Sequence, residues 1–331
     1  MQTSLSRIQA AQLGSLYESA SEGFMPAGSQ GSGLLGGIYE AWKSKYLSGF
    51  QQRNALLDGL FYDVGKITEE ETNTLAPWLV KEGTLLHVPP TGTQKLQPVK
   101  DLTALAKLDK PKALAIAGVG SSALGSAALA RNVADAVGGP VVAVVSGFGL
   151  ADVATEAIGG YFLFGTLNRL RHNAEQLETM ATDWMKSTSP VSGPKAASKG
   201  LAAFNDVNAA AALLRDPRFD LSVLCGHSKG NLILAEALEK IVRNSPEDAE
   251  RLQAQSHIIT LSAVIKMPDG FKKITDVLGS ADPLGYMNSR RSIAIEKLLR
   301  GVGHHTNTEF PDIVPRPLDV TATLKDILYT E

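Results

Sequence analysis

The sequence predicts an α/β fold, a mostly parallel β-sheet flanked by helices, and three observations predict it. From Lys112 onward, short apolar runs rich in β-branched residues alternate with longer helical runs, the pattern of βαβ units. A serine with a glycine two positions to either side lies between one such run and the helix that follows it. The 331 residues, 44% of them hydrophobic, suffice for one large core without disulfides or a structural metal.

The predicted strands are short runs with few charged side chains, which indicates burial on both faces of the sheet. They cover residues 113–117, 141–145, 221–225, 257–261 and 273–278. The α/β core is therefore assigned to residues 101–331.

Residues 1–100 are predicted to form a helical N-terminal extension, with a glycine-rich break at residues 28–37. Thr68 and Glu71 have the spacing of a capping box ahead of the apolar Leu75, which marks one helix start. No motif assigns a task to this extension. Packing on the core, a lid and an oligomer contact are all open.

A second segment, residues 153–205, is predicted to be a helical, cap-like insertion in the core. Its helix over residues 161–186 has apolar side chains three and four positions apart, among them Phe164, Leu167 and Trp184. One face of this helix is therefore apolar. A cover over an active site and ordinary core packing both fit that pattern.

Charge and cysteine content narrow the function classes. The net charge is −2, from 32 basic and 34 acidic residues. The sequence therefore lacks the excess of basic residues that is typical of nucleic-acid-binding proteins. The single cysteine, Cys225, and the lack of a signal-like N-terminus favour a cytoplasmic protein. Residues 113–130 carry no charged side chain, but glycines and serines interrupt them, so stable membrane insertion is not expected. A homo-oligomer stays open.

The strongest motif is the pentapeptide Gly226-His227-Ser228-Lys229-Gly230. An apolar run precedes it, and a helical run over residues 231–242 follows. A serine on a sharp strand-to-helix turn needs small neighbours, which the two glycines supply. Ser228 is therefore the predicted nucleophile, whereas His227 is predicted to pack beside it and Cys225 to be a buried small hydrophobe.

At these residues the chain resembles the α/β-hydrolase superfamily of serine hydrolases, in particular its esterases and lipases. Residues 113–152 are similar to that family's strand, glycine loop, helix, strand and Gly-x-Gly turn. The resemblance implies an α/β-hydrolase fold with an oxyanion hole formed by the backbone N–H groups of Val119 and Lys229. Ala117 stands where the family often has histidine, but a backbone donor does not depend on that side chain.

A serine nucleophile needs a histidine base, and the base needs a carboxylate partner. In this family both follow the serine, acid first. Asp282 ends a late strand-like run and is the predicted acid, with Asp276 and Asp312 as alternatives. His304 fits the family's Gly-x-Gly-His loop, and His305 is its rival.

These residues imply a serine hydrolase that cleaves an ester or other acyl bond through an acyl-enzyme. The apolar insertion favours a hydrophobic small molecule or a lipid as the acyl substrate. No cofactor is expected. Metal binding is not expected either, because adjacent histidines rarely share one ion and no carboxylate cluster with ligand spacing lies near them.

Two other functions are open. Residues 118–123 satisfy G-x-G-x-x-A after a strand, the spacing of a dinucleotide-binding loop, although Ser146 stands where a ribose-binding acid is expected. This alternative predicts a nucleotide-dependent oxidoreductase. The other is a catalytically inactive α/β-hydrolase-like binding protein.

Overall fold

The computed structural model of the chain describes residues 58–59, 61–75, 82–118, 121–146, 205–290, 292–309 and 315–330. Within these ranges eight strands form one sheet. In chain order they are β1 (Leu85–Val88), β2 (Gln97–Val99), β3 (Ala113–Ile116), β4 (Val141–Val144), β5 (Val223–His227), β6 (His257–Leu261), β7 (Ile274–Gly279) and β8 (Lys297–Leu299).

The spatial order of the strands is β2-β1-β4-β3-β5-β6-β7-β8. Strand β1 runs antiparallel to both β2 and β4, and every other pairing in the sheet is parallel. The carboxyl ends of β3, β5, β6 and β7 therefore meet at one edge of the sheet. In parallel sheets of this type, that edge is where functional side chains gather.

Helices flank the sheet. In chain order the described α-helices are α1 (Glu69–Leu75), α2 (Leu102–Leu105), α3 (Ala123–Val137), α4 (Asn205–Arg215), α5 (Lys229–Asn244), α6 (Pro246–Gln255), α7 (Pro283–Asn288) and α8 (Val320–Tyr329), and Val64–Lys66 form a 3-10 turn. None of these helices is long and apolar enough to cross a membrane.

The core lies on both faces of the sheet, because side chains alternate along each strand. On β3, Ala113 and Ala115 face one apolar cluster, which contains residues of α3 and α8. Leu114 and Ile116 face the other, which contains residues of α4, α5 and α6. The predicted α/β fold with helices on both faces is therefore confirmed.

All five predicted strands form, with small shifts in their ends. The largest shift is at β5, which was expected at residues 221–225 and runs from Val223 to His227. The strand continues through the pentapeptide because it stays paired with β6, in a register that brings His227 opposite Leu261. The helix expected at residues 231–242 begins earlier, at Lys229, and ends at Asn244.

The prediction of a helical extension over residues 1–100 needs correction, because β1 and β2 lie within it and extend the same sheet. Their short runs have no clear alternating pattern, and β1 forms through backbone pairing with β4. The core sheet thus begins before residue 101. The insertion expected at residues 153–205 lies outside the described residues except for Asn205, where α4 begins.

Candidate active site

Ser228 lies on a tight turn between β5 and α5. Its backbone angles are φ 53° and ψ −120°. A positive φ is uncommon for residues other than glycine. The strand ends at His227 and the helix begins at Lys229. Ser228 is therefore held in a strained conformation, a property common at functional sites.

The two glycines of the pentapeptide are required by close backbone contacts. A Cβ atom on Gly230 would lie 2.0 Å from the carbonyl oxygen of Ile116, on β3. A Cβ atom on Gly226 would lie 2.8 Å from the backbone nitrogen of Asn231. Without side chains at these positions, α5 starts directly against the ends of β3 and β5.

Ser228, His304 and Asp282 form a continuous chain of hydrogen bonds. The Nε2 atom of His304 lies 3.1 Å from Oγ of Ser228. Its Nδ1 atom lies 2.9 and 3.0 Å from the two carboxylate oxygens of Asp282. Because a carboxylate only accepts, the proton of a neutral His304 is on Nδ1, which leaves Nε2 to accept from the serine hydroxyl.

The carboxylate of Asp282 is fixed by its own surroundings. Asp282 is fully buried and is the N-cap of α7, where Oδ1 accepts the N–H of Gly285 at 2.6 Å. A Cβ atom on Gly285 would lie 2.5 Å from Oδ2. Asp282 is thus a cap residue before Pro283 and the partner of His304 at the same time.

The residues that the sequence left open as alternative acid or base are not hydrogen-bonded to Ser228 or His304 where the structure describes them. Asp276 is on β7, and its carboxylate accepts a short hydrogen bond from the Thr260 hydroxyl on β6. Asp312 is outside the described residues. His305 follows His304, and its carbonyl accepts the N–H of Leu318 at 2.8 Å. Of the two histidines, His304 is the one hydrogen-bonded to Ser228.

Residues 58–59 and 61–63, which carry no sequence motif, hold the residues that follow His304. The Thr306 N–H donates to the carbonyl of Phe61 at 2.7 Å, and the Asn307 side chain donates to the carbonyl of Gly59 at 2.6 Å. Asp63 accepts from both the N–H and the hydroxyl of Thr308. These contacts span about 245 positions of sequence, so no local pattern could have indicated them.

The same residues also contact Gly118 and Ser122, which follow β3. The Gly118 N–H donates to the hydroxyl of Tyr62 at 2.8 Å, and the Ser122 N–H donates to the buried carboxylate of Asp58 at 3.0 Å. Burial raises the pKa of Asp58 to about 6, although hydrogen bonds from Ser122, Gly125 and Ser121 oppose the shift. Val119, a predicted oxyanion donor, lies outside the described residues, whereas Lys229 is the first residue of α5.

His227, expected to pack beside Ser228, is buried, and both ring nitrogens have partners. Nδ1 lies 3.0 Å from the hydroxyl oxygen of Tyr62, and Nε2 lies 3.0 Å from the carbonyl oxygen of His304. Burial, reinforced by the neighbouring His304, lowers the pKa of His227 to about 3. His227 is therefore a neutral histidine.

The side chains of Ser146 and Cys225 are also buried. Ser146, just after β4, donates its hydroxyl to the carbonyls of Ala117 and Gly118. Burial raises the pKa of the Cys225 thiol to about 12, so this thiol stays protonated at neutral pH. Among the residues that the structure describes, no group of three or more His, Cys, Asp or Glu side chains could hold a metal ion.

The chain matches no protein-family model, no curated protein and no solved structure. No relative therefore supplies a function for the Ser228–His304–Asp282 arrangement. Its chemistry follows from its donors and acceptors. A serine hydroxyl whose proton can pass to an imidazole, itself oriented by a buried carboxylate, can attack an electrophilic carbonyl carbon.

Proposed function

We propose that this chain is a serine hydrolase of the α/β-hydrolase type, which cleaves an ester or other acyl bond through a Ser228–His304–Asp282 triad. The single observation that carries the proposal is the hydrogen-bonded path from Ser228 to Asp282, which begins at a strained serine between a strand and a helix. The order of the three residues along the chain, serine, aspartate, histidine, is the order expected for that type.

In the proposed first step, His304 takes the hydroxyl proton of Ser228 while Oγ attacks the acyl carbon of the substrate. Asp282 stabilises the imidazolium that forms. The tetrahedral intermediate then collapses, and the bond to the leaving group breaks as His304 returns the proton to it. Water, deprotonated by His304, cleaves the acyl-enzyme and restores the Ser228 hydroxyl.

The negative charge that develops on the acyl oxygen needs hydrogen-bond donors. The proposed donors are the backbone N–H groups of Lys229 and Val119. The start of α5 at Lys229 supports the first, since the N-terminal end of a helix favours negative charge. For the second, the support comes from its described neighbours, since Gly118 is hydrogen-bonded to Tyr62 and Ser122 to Asp58.

The sheet also supports this type of enzyme. Its strands are mostly parallel, with antiparallel strands at one end, and Ser228 follows the central strand β5. The apolar helix predicted from the sequence at residues 161–186 favours a hydrophobic small molecule or lipid as the acyl substrate.

A fluorophosphonate probe tests the proposal, because it reacts with activated serines. We expect stoichiometric labelling of the native protein at Ser228, and no labelling of Ser228→Ala. Ser262→Ala is the matched control, since Ser262 is also a buried serine at the end of a strand with positive φ. Failure of the native protein to react, or labelling that persists in Ser228→Ala, contradicts the proposal.

The acyl substrate class is tested with p-nitrophenyl esters of short and long chain and with acyl-CoA. A preference for long chains supports a hydrophobic acyl group, and release of free CoA supports a thioesterase. Ser228→Ala is the blank for each substrate, because it lacks the proposed nucleophile.

A further inference from the structure

Four groups around Ser228 form a second chain of hydrogen bonds, which the proposed triad does not include. The backbone N–H of Gly118 donates to the Tyr62 hydroxyl at 2.8 Å. That hydroxyl lies 3.0 Å from Nδ1 of His227, and Nε2 of His227 lies 3.0 Å from the carbonyl oxygen of His304. This chain links the loop after β3, the end of β5 and the backbone of the proposed base.

The chemistry of its two ends fixes the direction of every bond in the chain. A carbonyl oxygen only accepts, so Nε2 of His227 carries the proton. In a neutral imidazole Nδ1 is then an acceptor, and it takes the hydroxyl proton of Tyr62. The Tyr62 oxygen is left to accept from Gly118, so all three bonds are made with one tautomer of His227.

The surroundings of the two side chains stabilise this one arrangement. Tyr62 and His227 are 4% and 1% exposed, and burial raises the pKa of the tyrosine as it lowers that of the histidine. The charged and titratable groups that act on them are His304 and Asp282 on the histidine and Asp58 on the tyrosine. Both side chains therefore stay neutral at physiological pH.

Ring packing and tight spacing add to the hydrogen bonds. The Tyr62 and His227 rings are edge to face, with centroids 5.5 Å apart, and the His227 and His304 rings are 5.2 Å apart. A Cβ atom on Gly118 would lie 3.1 Å from Cβ of Ser228 and 3.2 Å from the Tyr62 hydroxyl oxygen. Movement of one of these groups therefore displaces the others.

We propose that Tyr62 and His227 are positioning residues, which hold the backbone of Gly118 and of His304 in fixed places relative to Ser228. This inference rests on the proposed hydrolase function. Gly118 immediately precedes the proposed oxyanion donor Val119, and the carbonyl of His304 belongs to the proposed base. One tyrosine–histidine pair thus holds the backbone of Gly118 and of the proposed base beside the nucleophile.

Three substitutions test the Tyr62 end and the His227 end of this hydrogen-bond chain separately. Tyr62→Phe removes the acceptor for Gly118 and the donor to His227. His227→Gln keeps an N–H donor near the position of Nε2, and His227→Asn keeps an acceptor near the position of Nδ1. The control for the tyrosine is Tyr329→Phe, at an exposed position on α8. The control for the histidine is His257→Gln, since His257 is also buried in the sheet and bonded to one hydroxyl, that of Thr275.

The readout is the reaction of Ser228 with a fluorophosphonate, resolved into the inactivation rate constant kinact and the binding constant KI. We expect Tyr62→Phe and His227→Asn to lower kinact about tenfold with little change in KI, because the groups that they position are then less well aligned with the transition state. His227→Gln should restore most of the loss. Both controls should stay within about twofold of the native protein.

A purely structural role predicts a different result. It lowers the melting temperature and the folded fraction, but it leaves kinact of the folded molecules unchanged and gives no rescue by glutamine. Native-like kinact in Tyr62→Phe and His227→Asn, with the native protein fully reactive, therefore overturns the positioning role and leaves the hydrolase proposal intact. A native protein that does not react overturns both.

A second measurement does not depend on activity. Nitrogen-15 spectra of histidine-labelled protein should contain, for His227, a ring in the Nε2–H tautomer that does not titrate between about pH 5 and about pH 8. Its signals should vanish in His227→Gln. Titration of His227 in that range, or a proton on its Nδ1, contradicts the donor and acceptor roles assigned to these hydrogen bonds and with them the positioning role.

Discussion

The Nε2 atom of His304 lies 3.1 Å from Oγ of Ser228, across 76 positions of sequence. The two residues meet because β5 and β7 are parallel, so that the turn after β5 and the loops that follow β7 and β8 emerge at the same edge of the sheet. The strained turn at Ser228 directs its hydroxyl toward that edge.

Because of the backbone strain at Ser228, a glycine substitution should be more stable there than an alanine substitution, the reverse of the usual order. Glycine adopts a positive φ without strain, so we expect Ser228→Gly to be more stable than Ser228→Ala by about 1 kcal/mol. Neither variant should react with a fluorophosphonate. Chemical denaturation gives the two free energies of unfolding. Ser222, which has no positive φ, is the control position, and alanine should be the more stable substitution there.

The contact between α5 and β3 leaves no room for a side chain at Gly230. We expect Gly230→Ala to destabilise the protein by about 3 kcal/mol or more, because the new Cβ atom would overlap the Ile116 carbonyl oxygen, which is fixed in the sheet. Gly59→Ala is the control, since its Cβ atom would meet only Val64, at 3.9 Å. Equal melting temperatures for the two variants would contradict the close approach of helix and strand.

The buried ion pair between Glu71 and Arg131 links α1 to α3, and both side chains are almost fully buried. Glu71→Gln leaves the charge of Arg131 without its counter-ion, so we expect a loss of about 2 to 4 kcal/mol in the free energy of unfolding. Glu70→Gln is the matched control on the same helix, because the Glu70–Lys95 pair is exposed and should contribute less than about 1 kcal/mol.

The effect of Glu71→Gln should also depend on pH. Burial opposes ionisation of Glu71, but hydrogen bonds from the Leu96 and Thr68 N–H groups, together with Arg131, lower its pKa on balance. The stability that the ionised Glu71 provides is present above the pKa of the unfolded chain and is lost as the pH falls through the lower folded value. The difference between the native protein and Glu71→Gln should therefore shrink in acid. A difference that does not change with pH argues against the ionised pair.

Asp276 should have the opposite pH dependence. Burial raises its pKa to about 6, reinforced by the nearby Glu296 and opposed by the Thr260 hydrogen bond. Because the folded state binds this proton more tightly than the unfolded chain does, the contribution of Asp276 to stability falls as the pH rises from about 4 to about 6. The asparagine in Asp276→Asn stays neutral at every pH. The free energy of unfolding of this variant should therefore exceed that of the native protein by about 1 to 2 kcal/mol at pH 8, and the two values should be closer at pH 4.

Urea denaturation of Asp276→Asn at both pH values checks this expectation. Asp326→Asn is the control, since Asp326 is exposed and its pKa is lowered by Lys297 rather than raised. An Asp276→Asn variant that is less stable than the native protein at pH 8 would show that the carboxylate is ionised and favourable in the fold.

Much of the candidate site could be predicted from the sequence because it depends on neighbours along the chain. The turn at Ser228 needs a strand, two small residues and a helix start, and all of these lie within about 20 residues. The capping box is local in the same way: the Thr68 N–H donates to the Glu71 carboxylate, and the Glu71 N–H donates to the Thr68 hydroxyl. Patterns of this length can be read from one sequence.

The sequence named candidate partners for Ser228, but it left alternatives open and gave no sign of the contacts around them. Asp276, Asp282 and Asp312 each lie in the part of the chain where an acid was expected, and the fold brings Asp282 to His304. The pairing of Glu71 with Arg131 joins residues 60 positions apart, and that of Tyr62 with His227 joins residues 165 positions apart. None of these contacts leaves a periodic or compositional signal.

The sequence by itself therefore determined the alternation of strands and helices and the turn that carries Ser228, because backbone geometry and local sterics limit which residues can occupy those positions. Tertiary structure alone decided that His304 rather than its rival His305 reaches Ser228, and that β1 and β2 extend the sheet. It also decided that residues 58–59 and 61–63 contact both Gly118, just after β3, and the residues that follow His304. The physical reason is that hydrogen bonds between distant residues depend on how strands order and pair, which is a property of the whole sheet.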